Sequence, residues 1–477
     1  MHYRGHPFFA CSAPLSRLEM MIGDLVPRRD APIVVLDGGD EGLAEQAAFR
    51  LKGLNFANVE ILEGGCAAWK ASGGELFSGV NVPSKAFGEF VEHHYATPRI
   101  PASELKGLLA QKKKLVILDS RPFEEYHRMN IPGGIDVPGA ELAWRVHDLA
   151  PDPETLVVVN CAGRTRSIIG CQSLRNAGIP NQVVALKDGT MGWDLAGFEC
   201  ERGSSRTAAE PSPQGRSKAR ELAAQVARRF QVKFISPSEL DQRNRTLYLL
   251  DVRTREEFEK DRVAGSRHAP GGQLLQAADE YVGVRNARVV LIDPERVRAV
   301  MTASWLNQMG WPDVHVLESE EGLPRESGPR RPAAFTPWPS VREPEGALLD
   351  LSTSLRFRRR HIPGAWWGVR SRLADAASKI SAENLTLTSE DGVLAHLAAP
   401  EASRLWKNVR VLEGGNAAWK GEWEAGVERA TTATDDVWYK PYDHGSDYEK
   451  HAREYLSWEV TLVDQLKREP AVRFKTF

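Results

Sequence analysis

The stretch LEGGCAAWK at 62–70 recurs almost letter for letter as LEGGNAAWK at 412–420, with weaker versions LKDGTMGW at 186–193 and LESEEG at 317–322. A repeat of this kind constrains the fold more than any single motif, because each copy must be built on the same supersecondary unit. The unit therefore closes four times. Its opening is an apolar strand ending in Asp, then an acidic and aromatic helix, then a Pro-Gly type of turn. It reads VILDSRPFEEYHRMNIPGG at 116–134, YLLDVRTREEFEKDRVAGS at 248–266 and LLDLSTSLRFRRRHIPGA at 348–365. The first copy has no such opening strand, and the chain starts near its turn-like segment YRGHPFFACSAPLSRL.

Between opening and closing, each copy has a second strand followed by a helix: IVVLDGGDEGLAEQAAFRLKGL, LVVVNCAGRTRSIIGCQSLRNAGI, RVVLIDPERVRAVMTASWLNQMGW and LTLTSEDGVLAHLAAPEASRLW. Strands alternating with helices predict an α/β fold of four tandem units, each a parallel β-sheet flanked by helices. The expected units are 1–95 (N-terminally incomplete), 96–205, 215–328 and 338–428. Proline-bearing polar stretches at 203–217 and 327–344 read as linkers, and the amphipathic YLSWEVTLVDQL predicts a packed helix in the tail 429–477. A length of 477 residues suits several domains rather than one core.

A formal net charge of -2 gives no basic excess for nucleic acid. The N-terminus lacks a secretory signal pattern, and no run of about 18 apolar residues could span a bilayer, so a cytoplasmic protein with neither nucleic-acid nor membrane partners is expected. Five cysteines without a CxxC pair or a Cys/His cluster indicate neither a disulfide framework nor a metal, and no cofactor motif is present.

Among the cysteines, only Cys161 sits where thiol chemistry is favoured, in VVVNCAGRTRSIIG at 157–170. It ends a β-branched run and opens a helix, where backbone N–H groups and the helix dipole favour an anion and hence a thiolate. Arg164 and Arg166 add positive charge that is not lost in the working pH range. The same nest would hold a substrate along Ala162, Gly163, Arg164, Thr165, Arg166 and Ser167, with Gly163 easing the turn and the Thr165 and Ser167 hydroxyls offering donors. Cys171, ten residues on, reads as helix packing; Cys66 is replaced by Asn416 in the matching motif; Cys11 and Cys200 default to structural or surface roles.

The set DxR…E(Y/F)…IPG, a Cys opening a six-residue loop after the next strand, and LxGGxxxW resembles the rhodanese (sulfurtransferase) family. The match is fullest in the second unit, through Asp119, Arg121, Glu125, Tyr126, Pro132, Gly133, Cys161, Gly189 and Trp193. The resemblance implies a parallel sheet of about five strands per unit. It also implies a double displacement, in which Cys161 takes sulfane sulfur from a donor such as thiosulfate and passes it to cyanide or a thiol, a protein acceptor included. Anchoring on Gly178 and Gly310 puts Asp293 at the position of Cys161; the same exercise puts Ser389 or a neighbour there in the fourth unit, and Asp37 or Gly38 in the first. Those three units are expected to be inactive.

Arg121 and Glu125 are expected to fix the turn, with Arg121 on a carboxylate. Trp69 and Trp419 read as core packing, Gly189 and Trp193 as pocket walls, and Arg145 as a solvated arginine or added charge near the pocket. Two other activities compete. Cysteine-dependent phosphatases and arsenate reductases use C-x5-R, one residue longer than the C-x4-R from Cys161 to Arg166. A persulfide carrier or sulfide-responsive scaffold would use the three degenerate units as a docking surface. The loop CAGRTR matches neither CRKGVT, typical of thiosulfate enzymes, nor CG(S/G)GVT, typical of mercaptopyruvate enzymes; two arginines favour the thiosulfate dianion.

Overall fold

The computed structural model describes residues 2–39, 41–240, 245–330 and 334–477. Three five-stranded, all-parallel sheets follow one another along the chain. The first has the spatial order Arg99–Ile100, Val183–Leu186, Leu156–Asn160, Leu115–Asp119, Ile135–Asp136. The next contains, in the same relative order, Lys233–Ile235, Val314–Leu317, Arg288–Ile292, Leu247–Asp251 and Arg267–His268. The last contains Ser340–Val341, Asn408–Leu412, Asn384–Thr388, Ala347–Asp350 and Trp366–Trp367. At the N-terminal end, among the described residues, the sheet is a parallel pair, Ile33–Val35 with Val59–Ile61, with a separate antiparallel bridge between His6 and Phe77.

The central strand Leu156–Asn160 carries Val157, Val158 and Val159 with no exposure on either face, the signature of a parallel strand covered by helices on both sides. Helix Thr165–Ala177 follows it directly. Strand and helix together place the intervening loop at the C-terminal edge of the sheet, where ligands bind in open α/β folds.

Three segments differ from their sequence reading. The expected linker 203–217 runs into helix Pro213–Arg229, started by Ser212, whose hydroxyl accepts from Gly215 N and donates to Asp148. Proline at the first helical position is compatible with a helix start, and composition alone hid that. Within 327–344, Ser340–Val341 is the edge strand of the last sheet, and residues 331–333 lie outside the described residues. The stretch 82–101, across the expected boundary between the first two units, contains helix Val82–Tyr95, packed between helices Thr165–Ala177 and Tyr448–Leu466. The tail is a helix, Tyr448–Leu466, with Ala452, Glu459 and Leu462 buried.

The two middle sheets share one hydrophobic core running from Phe87 through Trp144, Leu174 and Trp305 to Val316. Their contact is pairwise symmetric. A Cβ on Gly139 would stand 2.9 Å from Gly272 Cα, and a Cβ on Gly272 2.9 Å from Gly139 Cα, so both backbones need a glycine there.

Candidate active site

The loop between Leu156–Asn160 and Thr165–Ala177 is held from both sides. Arg121 makes a bidentate pair with Asp119 (2.8 and 2.7 Å) and donates to Met129 O, so the opening motif pins its own turn. Asn160 Nδ2 donates to Asp119 at 3.0 Å, tying that turn to the strand before the cysteine. From the closing motif, Thr190 N donates to Cys161 O (2.8 Å) and Met191 N to Ala162 O (2.9 Å). Gly189 lies at φ +56, and a side chain there would overlap the carbonyl of Cys161. It seats the loop rather than walling a pocket. Trp193 is 1% exposed and donates to Glu199 O, a core residue and not a wall.

The clasp also aligns the copies without ambiguity. Cys66 N donates to Asp37 O (2.9 Å) and Asn416 N to Ser389 O (2.8 Å), which places Asp37 and Ser389 at the position of Cys161. What these side chains do is the decisive comparison. Asp37 Oδ2 accepts from Leu43 N and Ala44 N, while Oδ1 accepts from Gly39 N. Asp293 accepts from Arg298 N and Ala299 N and binds the Arg298 guanidinium at 3.0 Å. Ser389 Oγ accepts from Ala395 N at 3.2 Å. Each of the three fills its helix N-terminus with its own oxygen. At Cys161, among the described residues, the N–H groups of Thr165, Arg166 and Ser167 have no acceptor, and the first bond of that turn is Ile168 N to Arg164 O. That nest is open to an external anion.

Around the open nest, Cys161 is 2% exposed and its Sγ lies 3.5 Å from Ser167 Oγ, which itself donates to Arg164 O. Arg166 donates to Glu125 at 2.7 Å and to Gln273 at 3.2 Å, and lies close enough for a thiolate at Cys161 to favour its charged form. Burial alone would raise the Glu125 carboxyl, but Arg166 and Lys440 together hold it well below the usual carboxylate range. Glu125 is thus part of the loop's charge balance as well as of the turn.

Arg164 points elsewhere. Its guanidinium binds Glu89 through two 2.7 Å bonds, Asp188 at 3.1 Å and also Glu92. The expectation of two arginines facing the donor is therefore corrected: carboxylates from helix Val82–Tyr95 take up one of them. Thr165 Oγ1 donates to Glu459, not toward the sulfur. Gly163 does not adopt a left-handed turn; it is small because Met191, Tyr455 and Glu459 crowd it, each about 3.3–3.4 Å from where a Cβ would be. Ala162 packs with Met191, Ala452, Tyr442 and Tyr455.

Arg145, read as solvated, is 7% exposed and clamps Glu141, Glu210 and Ala209 O. Trp69 and Trp419 are only half-buried and cap their own turns by donating to Glu75 O and Glu422 O. Burial pushes the Cys171 and Cys11 thiols up to about 12 and Cys200 to about 11, which keeps all three as thiols at neutral pH. Cys66 is raised too, by burial and then by Asp37. Sequence reasoning missed Tyr442, Tyr455 and Glu459, which reach the loop from some 300 residues away; only the amphipathic pattern of the tail hinted at a packed element.

The family model for the Rhodanese-like domain matches residues 101–196 and 236–319. The crystal structure of a thiosulfate sulfurtransferase from Pseudomonas aeruginosa superposes with a TM-score of 0.94 at 45% identity, covering 100% of this chain and 94% of that one. The chain belongs to the rhodanese-like sulfurtransferase family. Two shorter likenesses are to Mycobacterium tuberculosis proteins. A helix-turn-helix-type transcriptional regulator is 34% identical over 125 residues, and a candidate thiosulfate sulfurtransferase is 30% identical over 127 residues. Each match covers 24% of this rhodanese-like chain, and they span 54% and 43% of those relatives, about half their length. Among the described residues, no helix of this rhodanese-like protein is long and apolar enough to cross a membrane, and no group of His, Cys, Asp and Glu is placed to hold a metal.

Proposed function

We propose that this rhodanese-like protein moves sulfane sulfur from a donor such as thiosulfate to cyanide or a thiol through a persulfide on Cys161, in the cytoplasm. The observation that carries the reading is the open nest: the equivalent helix N-termini are filled by Asp37, Asp293 and Ser389, and the one behind Cys161 is not. The units at 1–95, 215–328 and 338–428 then have no thiol at the position of Cys161 and no room for an anion there, and 96–205 is the catalytic one.

In this reading the Cys161 thiolate attacks the outer sulfur of thiosulfate, the S–S bond breaks, and sulfite leaves with the bonding pair. The persulfide is again an anion and stays on the N–H groups of residues 165–167, with Arg166 beside it and Ser167 Oγ within reach of the cysteine sulfur. An acceptor then attacks the outer sulfur and regenerates the Cys161 thiolate. Thiosulfate as donor is supported by the Pseudomonas aeruginosa relative's name and by the anion nest, not by a pair of free arginines.

Steady-state thiocyanate formation from thiosulfate and cyanide tests the assignment: Cys161→Ser is expected to lose it entirely, and retained turnover would sink the reading. The slight exposure of Cys161 keeps a persulfide-carrier role as the second reading, since a covered sulfur hands its cargo on slowly. A carrier would gain one sulfur on Cys161 by intact mass yet show no repeated turnover with small acceptors.

A further inference from the structure

The C-terminal helix puts a carboxylate where its apolar stripe faces the active loop. Ala452, Tyr455, Leu456, Glu459 and Leu462 follow one another at helical spacing, and Glu459 is as buried as Leu462. Burying a carboxylate is costly unless all its oxygens are partnered. Only one is. Glu459 Oε1 pairs with Lys85 Nζ (2.8 Å) and accepts from Tyr455 Oη (2.9 Å) and Thr165 Oγ1 (3.3 Å). Oε2 is buried without a hydrogen-bond partner among the described residues and points at the loop, 3.3 Å from where a Cβ on Gly163 would be.

The groups facing this carboxylate are Lys85 and Glu89 from helix Val82–Tyr95, Tyr455 from its own helix, and Thr165 from the helix behind the nest; Arg166 and Tyr442 lie beyond Tyr455. Lys85 balances its charge, so the carboxylate does not expel an anion from the nest beside Cys161. A bare acceptor oxygen over a sulfur-transfer loop is suited to one ligand property, an acidic hydrogen.

We propose that Glu459 is the proton acceptor for thiol acceptors in the second half of the reaction. This rests on Cys161 carrying the persulfide. As the acceptor thiol attacks the outer sulfur, its proton passes to Glu459 Oε2 and the new S–S bond forms between acceptor and outer sulfur. The bond from that sulfur to Cys161 breaks, and Cys161 leaves as the thiolate with the electron pair. The proton then returns to the departing persulfide, so one thiol and one enzyme persulfide give one acceptor persulfide and the free thiolate.

The loading step needs no such proton, and neither does sulfite as acceptor, which is what separates this role from a structural one. The test is single-turnover transfer from protein preloaded with thiosulfate, with glutathione and with sulfite as acceptors, across pH. In Glu459→Gln, loading and transfer to sulfite are expected within about threefold of the wild type, and transfer to glutathione is expected to fall about 100-fold at neutral pH. The residual glutathione rate should climb about tenfold per pH unit with the thiolate fraction, while the wild type stays flatter. The double variant Lys85→Met, Glu459→Gln removes both charges of the pair and should show the same split if the single variant does not fold. Equal slowing toward both acceptors, or an unchanged glutathione rate, overturns the role of Glu459. Absence of any added sulfur on wild-type Cys161 would instead overturn the nucleophile, and the proton acceptor with it.

Discussion

At the end of the strand before each loop, the side chain decides what the following helix N-terminus can hold. A carboxylate or hydroxyl there reaches the free N–H groups and satisfies them, as Asp37, Asp293 and Ser389 do. A thiol at the same place offers only a weak acceptor, which leaves the nest for the sulfur anion it generates. The two loop arginines have different duties, and substitution should separate them. Arg164→Met strands Glu89, whose side chain has no exposure, and is expected to cost about 3 kcal/mol or more of stability in urea unfolding. Arg166→Met removes the cation beside the sulfur and is expected to lower kcat/KM for thiosulfate about 100-fold with a much smaller stability change. Similar losses of kcat/KM with no change in unfolding for either variant would refute the division.

Strand, loop and helix act as one part because the closing motif grips the loop's carbonyls. Thr190 N and Met191 N hold Cys161 O and Ala162 O, and Gly189 makes that approach sterically feasible at φ +56. Gly189→Ala would be strained by about 1 kcal/mol from the left-handed backbone alone, and its methyl would push the loop off the nest geometry. Turnover is expected to fall about tenfold to 100-fold while the circular dichroism spectrum stays that of the wild type; wild-type turnover would show that the clasp does not set the loop. The opening motif plays the matching part. Asp119 with Arg121 recurs as Asp251 with Arg253, each arginine also reaching a carbonyl eight residues on, so the turn geometry survives where the cysteine does not.

Across the whole molecule the two middle sheets behave as a pair about an approximate twofold axis. Arg166 and Arg298 hold equivalent loop positions; each binds the glutamate of its own turn, Glu125 or Glu257, and reaches the neighbouring unit at Gln273 or Glu141. Helix Thr165–Ala177 is buried nearly all round, which an isolated unit could not sustain. Residues 96–205 expressed alone are therefore expected to lack cooperative thermal unfolding, and a sharp transition with native-like circular dichroism would refute the shared core. The tail joins the remaining copies to this pair. Asp435 and Asp436 bind Arg372 and Ser354 beside the last sheet, the helix then crosses the Cys161 loop, and Arg468 binds Glu75 near the first copy at 2.7 Å. Units without a cysteine at this position thus anchor the segment that covers the one that has it.

The repeat, the strand-helix alternation and the place of Cys161 between a strand and a helix were all legible in the sequence, because they are local: apolar period, turn residues and spacing are written in neighbouring letters. The missed helix Val82–Tyr95 has buried residues on several faces, so no clean amphipathic stripe marked it. Which way Arg164 points, why Gly163 is small, and the arrival of Tyr455 and Glu459 at the loop were decided by packing between segments far apart in the chain. Charge and burial at a site depend on who the spatial neighbours are, and a guanidinium 24 or 75 letters from its carboxylate reads the same in sequence. The sequence by itself determined which loop sets a cysteine ahead of a helix N-terminus; the tertiary structure decided which groups surround it.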